Sequence, residues 1–217
     1  MFRGLNYSHI IWDWNGTVVD DAHLCVKIVN CLLREYSKPE ISLNFYLNNF
    51  GFPVRDFYLL LDLPIDQINY CKISTSFIDA YRDNYRECRL HPGIYNLIYE
   101  FDRTGISQSI LSAGHPNDLN LFLKYFDLSP VFKTVSGVAN FRAEGKQHIA
   151  KKHLEKISLP KSDILYIGDT IHDHQISELL GVDCLLVSHG HNSRSVLKST
   201  HNKIVDDSFE IKDWVLD

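Results

Sequence analysis

The residues of this chain that could do chemistry fall in four sets, at residues 13–17, residues 112–114, Lys146, and Asp169 with Asp173. Asp13 directly follows the apolar run His9-Ile10-Ile11-Trp12, and Asp169 directly follows another such run and Gly168. Two carboxylates set four residues apart, with Asp13 beside them, would repel one another without a cation. Mg²⁺ takes hard oxygen ligands of this kind and keeps several waters. The pattern therefore indicates a magnesium site.

Each of these residues alone is more typical of a structural role. An aspartate after a strand usually caps a turn or a helix, and a serine there is usually a turn hydroxyl. Asp169 and Asp173 could simply stabilise the start of a helix, and Lys146 could be a solvated charge. Their joint location favours a functional site, because ligands bind at the carboxyl ends of the strands of an open parallel sheet.

The elements that would position these residues show a βαβ pattern. Short apolar runs at 109–111, 131–135, 164–167 and 184–187 alternate with helix-like segments near 93–103, 116–126, 145–157 and 172–181. This alternation predicts an α/β fold with a doubly wound parallel sheet, a Rossmann-like core. Gly181 is expected to end the last of these helices in a left-handed conformation.

Residues 20–90 have a different texture, with apolar residues at helical spacing such as Val26, Val29, Leu32 and Leu33. No strand alternates with these helices. We therefore predict a core domain formed by residues 1–19 and 91–217, with an inserted helical cap domain over residues 20–90. The linkers near 18–22 and 88–92 would be its hinges.

The four sets resemble, in order and spacing, the four motifs of the haloacid dehalogenase-like superfamily, and the inserted segment resembles the small helical cap of its phosphoglycolate-phosphatase-like branch. The similarity extends from about residue 9 to residue 190. It implies a magnesium-dependent phosphatase acting on a small phosphate monoester. In such an enzyme Asp13 would attack phosphorus and carry an aspartyl-phosphate, and Lys146 would neutralise charge on Asp13 and on the phosphate.

The resemblance also implies two ligand sets. Mg²⁺ would be bound by Asp13, Asp169 and the backbone carbonyl of Asn15, with Asp173 as a further direct ligand or as the holder of a metal-bound water. Phosphate oxygens would be bound by Thr17, Ser112, Ala113 and Lys146.

Asn15 departs from the pattern of this superfamily, whose phosphatases have an aspartate there as general acid and base. General acid–base catalysis typically raises the reaction rate by about 10²–10⁴-fold. Another group such as His23 or His115 could supply the proton, or the substrate could have a good leaving group. Alternatively, the protein is a catalytically weak or inactive phosphate-binding or regulatory protein, or runs another reaction of the superfamily such as phosphonate cleavage or phosphomutase chemistry.

Two further features concern the rim of the site. Arg55, in the predicted cap, could bind the non-phosphate end of a substrate, for instance a carboxylate. Residues 188–191 resemble a loop that follows the last core strand in this branch, which would bring them to the site edge. The other histidines are expected to have structural or surface roles, because their spacing is a poor ligand pattern.

Composition narrows the classes of partner. A net charge of −5 without a long basic run argues against nucleic acid and an anionic membrane. The five cysteines are scattered and odd in number, which favours reduced thiols in a cytoplasmic protein. The expected partner is a small phosphorylated metabolite, and the oligomeric state is left open.

Overall fold

The computed structural model describes residues 7–139, 145–200 and 203–216. A six-stranded parallel sheet forms its centre, built from β1 His9–Trp12, β4 Ser107–Leu111, β5 Thr134–Ser136, β6 Ile164–Gly168, β7 Asp183–Val187 and β8 Ile204–Val205. Across the sheet the strand order is β5-β4-β1-β6-β7-β8. The chain leaves β1 on one side for β4 and β5 and then crosses to β6 on the other. The strand order thus reverses at β1, so the prediction of a doubly wound parallel sheet is confirmed.

In the described residues of this α/β part there are six α-helices: α5 Ile94–Arg103, α6 Pro116–Tyr125, α7 Gln147–Leu154, α8 Ile171–Leu180, α9 Arg194–Leu197 and α10 Ser208–Leu216. The central strands β1 and β6 are buried throughout, as expected for strands covered on both faces. Gly181 ends α8 with a φ of 69°, as predicted. Among the described helices, none has both the length and the apolarity to cross a bilayer.

One predicted strand begins later than expected. The apolar run at 131–135 suggested a strand from Val131, but β5 starts at Thr134, opposite Ser109. Val131 and Phe132 are buried before the strand begins, and the amide of Val131 closes a turn onto the carbonyl of Leu128. Apolar burial thus occurs here in a turn, which the hydrophobic pattern alone cannot distinguish from a strand.

Four helices lie between the first strand and the rest of the sheet: α1 Ala22–Glu35, α2 Leu43–Asn49, α3 Val54–Leu60 and α4 Gln67–Asn84. A two-stranded antiparallel ribbon stands at the base of this segment, formed by β2 Val19–Asp20 and β3 Arg89–Leu90. Helix α1 buries one apolar face, which includes Val26, Val29, Leu32 and Leu33. The segment is helical, and its separation as a cap domain over 20–90 stays a prediction.

Candidate active site

The end of β1 delivers Asp13 to the centre of the sheet edge. The amide of Asp13 donates to the carbonyl of Ile167 on β6, at 2.9 Å, which extends the pairing of the two strands by one residue. A tight turn follows, in which Gly16 has a φ of 75° and its amide donates to the carbonyl of Val19. A Cβ atom at position 16 would lie 2.2 Å from the carboxylate of Asp169, so glycine is required here on both counts.

Lys146 connects the carboxylates of the site. Its ammonium group donates to Asp13 and to the carbonyl of Leu111 at the end of β4, and lies 2.7 Å from Asp173. Lys146 is buried, and burial alone would lower its pKa. The two carboxylates outweigh that effect and raise its pKa, so Lys146 is a fixed positive charge.

Asp173 is tied into the start of helix α8. It forms a capping box with Thr170, whose backbone amide and hydroxyl both donate to Asp173 Oδ2, at 2.9 and 2.6 Å. The hydroxyl of Tyr166 donates to the other oxygen at 3.0 Å. Burial raises the pKa of Asp173, but Lys146 and Thr170 outweigh it and lower the pKa to about 2. These bonds fix the carboxylate at the start of the helix, while Asp173 also lines the cavity of the site.

Three carboxylates converge here, those of Asp13, Asp169 and Asp173. One oxygen of each lies within 4.8 Å of the others. Mg²⁺ bonds to oxygen are about 2.1 Å long, so opposed ligands stand about 4.2 Å apart and a small contraction would bring these atoms to one ion. Against these three buried carboxylates, Lys146 is the one buried ammonium group that the described residues supply. The donor set and the charge balance therefore both fit a divalent cation.

Burial, and after it the excess of negative charge, raises the pKa of two of these carboxyl groups. Burial raises the pKa of Asp13 well above its ordinary value against the opposing charge of Lys146, and the neighbouring Asp173 and Asp169 raise it further. Burial also raises the pKa of Asp169. A divalent cation between them would favour the ionised forms that a nucleophile and a ligand need.

The two predicted phosphate-binding hydroxyls have different surroundings. Ser112 and Ala113 line the cavity in front of Asp13, and Ser112 Oγ accepts from the amide of Gly114 at 3.0 Å, which leaves its proton for another acceptor. Thr17 is completely buried and does not line the cavity; its hydroxyl donates to Asp169 at 2.6 Å. Thr17 therefore faces Asp169 rather than the cavity, and its only hydroxyl proton is already donated to that carboxylate.

A comparison with known proteins identifies this arrangement. The model of the haloacid dehalogenase-like hydrolase family matches residues 10–187, which is most of the chain. The chain belongs to this family. The resemblance seen in the four motifs is thereby confirmed.

Similar proteins carry phosphatase names. The phosphoglycolate phosphatase of Pseudomonas syringae pv. tomato is 23% identical over 216 residues, which cover 95% of this chain and 79% of that protein. That of Caulobacter vibrioides is 25% identical, over 88% of this chain and 84% of its own. A haloacid dehalogenase-like family protein from Streptococcus pneumoniae superposes with a TM-score of 0.80 at 19% identity, over 96% of this chain and 98% of that one. The predicted phosphoglycolate-phosphatase-like branch is in agreement with these relatives.

Asn15, the residue that departs from the motif of this haloacid dehalogenase-like hydrolase, is held by an aspartate that sequence reasoning missed. The Asn15 amide donates to Asp21 at 2.6 Å and to the hydroxyl of Tyr81 at 2.9 Å, and Tyr81 in turn donates to Asp21 at 2.7 Å. Asp21 is fully buried and also accepts from the amide of Gly16 at 2.9 Å. A carboxylate at position 15 would face Asp21 at hydrogen-bonding distance, whereas the amide can donate to it.

His191 balances the charge of Asp21. Its Nε2 lies 3.2 Å from Asp21 and its Nδ1 lies 3.0 Å from the hydroxyl of Tyr46, while its backbone amide donates to Asp169 at 2.6 Å. Burial would lower the pKa of His191, but Asp21 and Asp169 raise it to about 9. The prediction that residues 188–191 lie at the site edge is in agreement with these contacts. The charged role of His191 was not predicted, since nothing near it in sequence is acidic.

Three other predicted groups have distinct locations. His115 lines the cavity at the start of α6, where its Nδ1 accepts from the amide of Asn117, whereas His23 is exposed on α1 and does not line it. Arg55 is exposed on α3 and donates to the carbonyl of Ile65 at 3.2 Å. The structure does not support the proposed reach of Arg55 into the pocket, because its guanidinium is bound within its own segment and is absent from the cavity wall.

Proposed function

We propose that this haloacid dehalogenase-like hydrolase is a magnesium-dependent phosphatase that hydrolyses a small phosphate monoester through an aspartyl-phosphate on Asp13. The observation that carries the proposal is the convergence of the ends of β1 and β6 with the first turn of α8, which brings the carboxylates of Asp13, Asp169 and Asp173 within 4.8 Å of one another beside Lys146. The phosphatase names of its relatives support the reaction class.

The bound metal would be held by Asp13, Asp169 and the Asn15 carbonyl, with Asp173 as a direct ligand or the holder of a metal-bound water, and it would neutralise negative charge on the phosphoryl group. One oxygen of Asp13 would attack phosphorus, forming an O–P bond while the bond from phosphorus to the ester oxygen breaks. Lys146 would hold the other oxygen of Asp13 and neutralise charge on the phosphate. Ser112 would donate its hydroxyl proton to a phosphate oxygen. Water would then cleave the aspartyl-phosphate and release inorganic phosphate.

The departing ester oxygen must gain a proton, which Asn15 cannot supply. Of the two histidines weighed for this role, His115 lines the cavity and His23 does not. We therefore propose His115 or cavity water as the proton source, and we expect esters with good leaving groups to be hydrolysed fastest.

The helices of residues 20–90 would act as the cap that closes over a bound small phosphorylated metabolite and excludes water. Asn192 and Ser193 already connect this segment to the core, through hydrogen bonds to the carbonyls of Phe50 and Leu47 at 2.8 and 2.9 Å. The five free cysteines are in accord with a reducing compartment such as the cytoplasm.

The proposal is tested by Mg²⁺-dependent release of phosphate from a panel of esters, comparing wild type with Asp13→Asn. We expect Asp13→Asn to abolish the release, because an amide oxygen cannot serve as the nucleophile. Asp20→Asn is the matched control, since Asp20 is close in sequence but exposed, and it should retain wild-type rates.

A phosphate-binding protein without catalysis is the alternative that Asn15 raises. Wild type and Asp13→Asn would then be equally inactive on every ester, although both would still bind them. Equal inactivity across the whole panel would therefore reject the phosphatase in favour of the binding protein.

A further inference from the structure

The cavity in front of Asp13 has an aromatic wall. It measures about 190 Å³, and eight aromatic side chains of the described residues line it: Tyr46, Phe50, Phe52, Phe57, Tyr58, Phe77, Tyr81 and Phe122. Apart from Phe122 on α6, they come from the helices and loops of residues 20–90. Four aliphatic residues complete the apolar surface: Val29, Val54, Ile78 and Leu119.

The aromatic rings are packed against one another rather than scattered. Phe50 stacks on Tyr46 with ring centres 4.8 Å apart and meets Phe52 edge-on at 5.6 Å. Tyr81 contacts Phe77 at 6.4 Å and Phe122 at 5.8 Å. Because packed aromatic rings hold one another in position, the apolar wall is pre-formed.

The strongly basic groups on this wall already have partners. Lys146 is shared between Asp13 and Asp173. Arg82 directs its Nε to both oxygens of Asp118, each at 3.0 Å.

The two histidines on the wall complete its basic groups. His191 is paired with Asp21 at 3.2 Å. His115 accepts a hydrogen bond from the amide of Asn117. Among the described residues, a carboxylate on the organic part of a substrate would therefore lie against apolar surface and near Asp118 without a dedicated counter-ion.

We propose that this cavity selects phosphate monoesters whose organic group is uncharged, apolar and about the size of one ring, and that it rejects esters carrying a carboxylate. The cavity of about 190 Å³ must also hold the phosphoryl group beside Asp13. Because an apolar cavity of about 150 Å³ takes up one benzene molecule, the space that remains limits the organic group to about one ring. This assignment rests on the phosphatase proposed above. The proposal distinguishes this chain from relatives named for phosphoglycolate, an ester whose organic group carries a carboxylate.

The test uses two esters that differ by one charge, benzyl phosphate and 4-carboxybenzyl phosphate. The leaving group is a benzylic alcohol in both, so a difference in kcat/KM reports the surroundings of the ring. We expect benzyl phosphate to be preferred by at least about 10²-fold, and to exceed ethyl phosphate by at least about 10-fold, the scale of discrimination in apolar pockets.

Variants on one helix supply the controls. Ile78→Arg adds a cation to the cavity wall and should narrow the preference at least about 10-fold, whereas Ile78→Met should keep it because it adds no charge. Ile68→Arg makes the same exchange on α4 where the side chain is 81% exposed and away from the cavity, and should leave both rates unchanged. Circular dichroism checks that each variant is folded.

Equilibrium binding of both esters to Asp13→Asn separates this proposal from the phosphatase itself. Tighter binding of benzyl phosphate together with its faster hydrolysis by wild type supports both. Equal or tighter binding of the carboxylated ester overturns the apolar assignment, even if phosphate is released. If benzyl phosphate binds more tightly but neither wild type nor any variant releases phosphate from it, the phosphatase is rejected and the proposed class of ligand is kept.

Discussion

An aspartate introduced at position 15 would restore the residue type that the phosphatases of the superfamily have there. In this chain, however, the groups around position 15 accept hydrogen bonds from the amide of Asn15. Asn15 lies 2.6 Å from a carboxylate oxygen of Asp21. We predict that Asn15→Asp increases hydrolysis of esters with poor leaving groups. We further predict that the charge of Asp21 sets the pH range in which this increase in hydrolysis rate is observed.

The magnitude follows from the distance. Two unit charges on adjacent carboxylates, about 4 Å apart, repel by about 4 kcal/mol at an effective dielectric constant of about 20. That repulsion corresponds to about 3 pKa units. His191 lies 3.2 Å from Asp21 and offsets part of it. The pKa of the new carboxyl would thus rise from about 4 to between about 5 and 7, where a general acid at neutral pH is most effective.

The assay measures phosphate release from benzyl phosphate, which has a poor leaving group, and from p-nitrophenyl phosphate, which has a good one, between pH 5 and 9. At neutral pH we expect Asn15→Asp to accelerate the first by about 10²-fold and the second much less. Its rate should fall as pH rises through the pKa of the new acid. In the double variant with Asp21→Asn the repulsion is gone, so that fall should occur at lower pH by about 1–3 units.

Two results would refute this reasoning. An equal acceleration of both esters would show that proton donation to the leaving group is not what Asn15 lacks. An identical pH profile with and without Asp21→Asn would show that the two positions do not interact electrostatically. Asp21→Asn alone is the necessary reference, because it also removes the partner of His191.

Three further predictions concern the metal site and its charges. Gly190→Ala would place a Cβ atom 2.2 Å from the carboxylate of Asp169 and should weaken Mg²⁺ binding, measured by calorimetry, by about 10–100-fold. Gly51→Ala is the control, because open space surrounds Gly51 and the Mg²⁺ affinity should not change. Equal Mg²⁺ affinities of wild type and Gly190→Ala would contradict this prediction. Lys146→Met leaves buried carboxylates without their cation. It should lower the free energy of unfolding, measured by urea denaturation, by about 3–5 kcal/mol. A loss of less than about 1 kcal/mol would argue against a buried ion pair. The pKa of His191 is raised to about 9, so its charge stabilises the fold fully below the unfolded pKa of about 6.5 and stops doing so as pH rises through about 9. The difference in free energy of unfolding between wild type and His191→Gln should therefore shrink by about 3 kcal/mol between pH 6.5 and 9. A difference that stays constant over this range would exclude the charge pair.

Most of the fold and the acidic centre could be predicted from local patterns. Alternating apolar runs and helical segments fix a parallel sheet, because each strand and helix is recognisable within its own few residues. The carboxyl ends of such strands must share one edge, so Asp13 and Asp169 could be brought together without coordinates. The start of β5 was misjudged, since Val131 is buried in a turn that has the same apolar pattern as a strand.

The directions of individual side chains could not be predicted. Thr17 was expected to bind phosphate, and its hydroxyl instead donates to Asp169. Arg55 was expected to reach the substrate, and it donates to the carbonyl of Ile65 within its own segment. Both outcomes depend on which partner lies within about 3 Å of a donor, and spacing along the chain gives no such distance.

The sequence by itself therefore determined the parallel sheet, the helical insertion and the order in which Asp13, Lys146, Asp169 and Asp173 follow the strands, because these features follow from local periodicity and from motif spacing. The tertiary structure alone decided how the site is electrically balanced and what it faces. Asp21 and His191 are 170 residues apart in the chain and meet at 3.2 Å, and the aromatic wall is assembled from the insertion and α6. Charge pairing and cavity shape depend on distances through space, which only the folded chain sets.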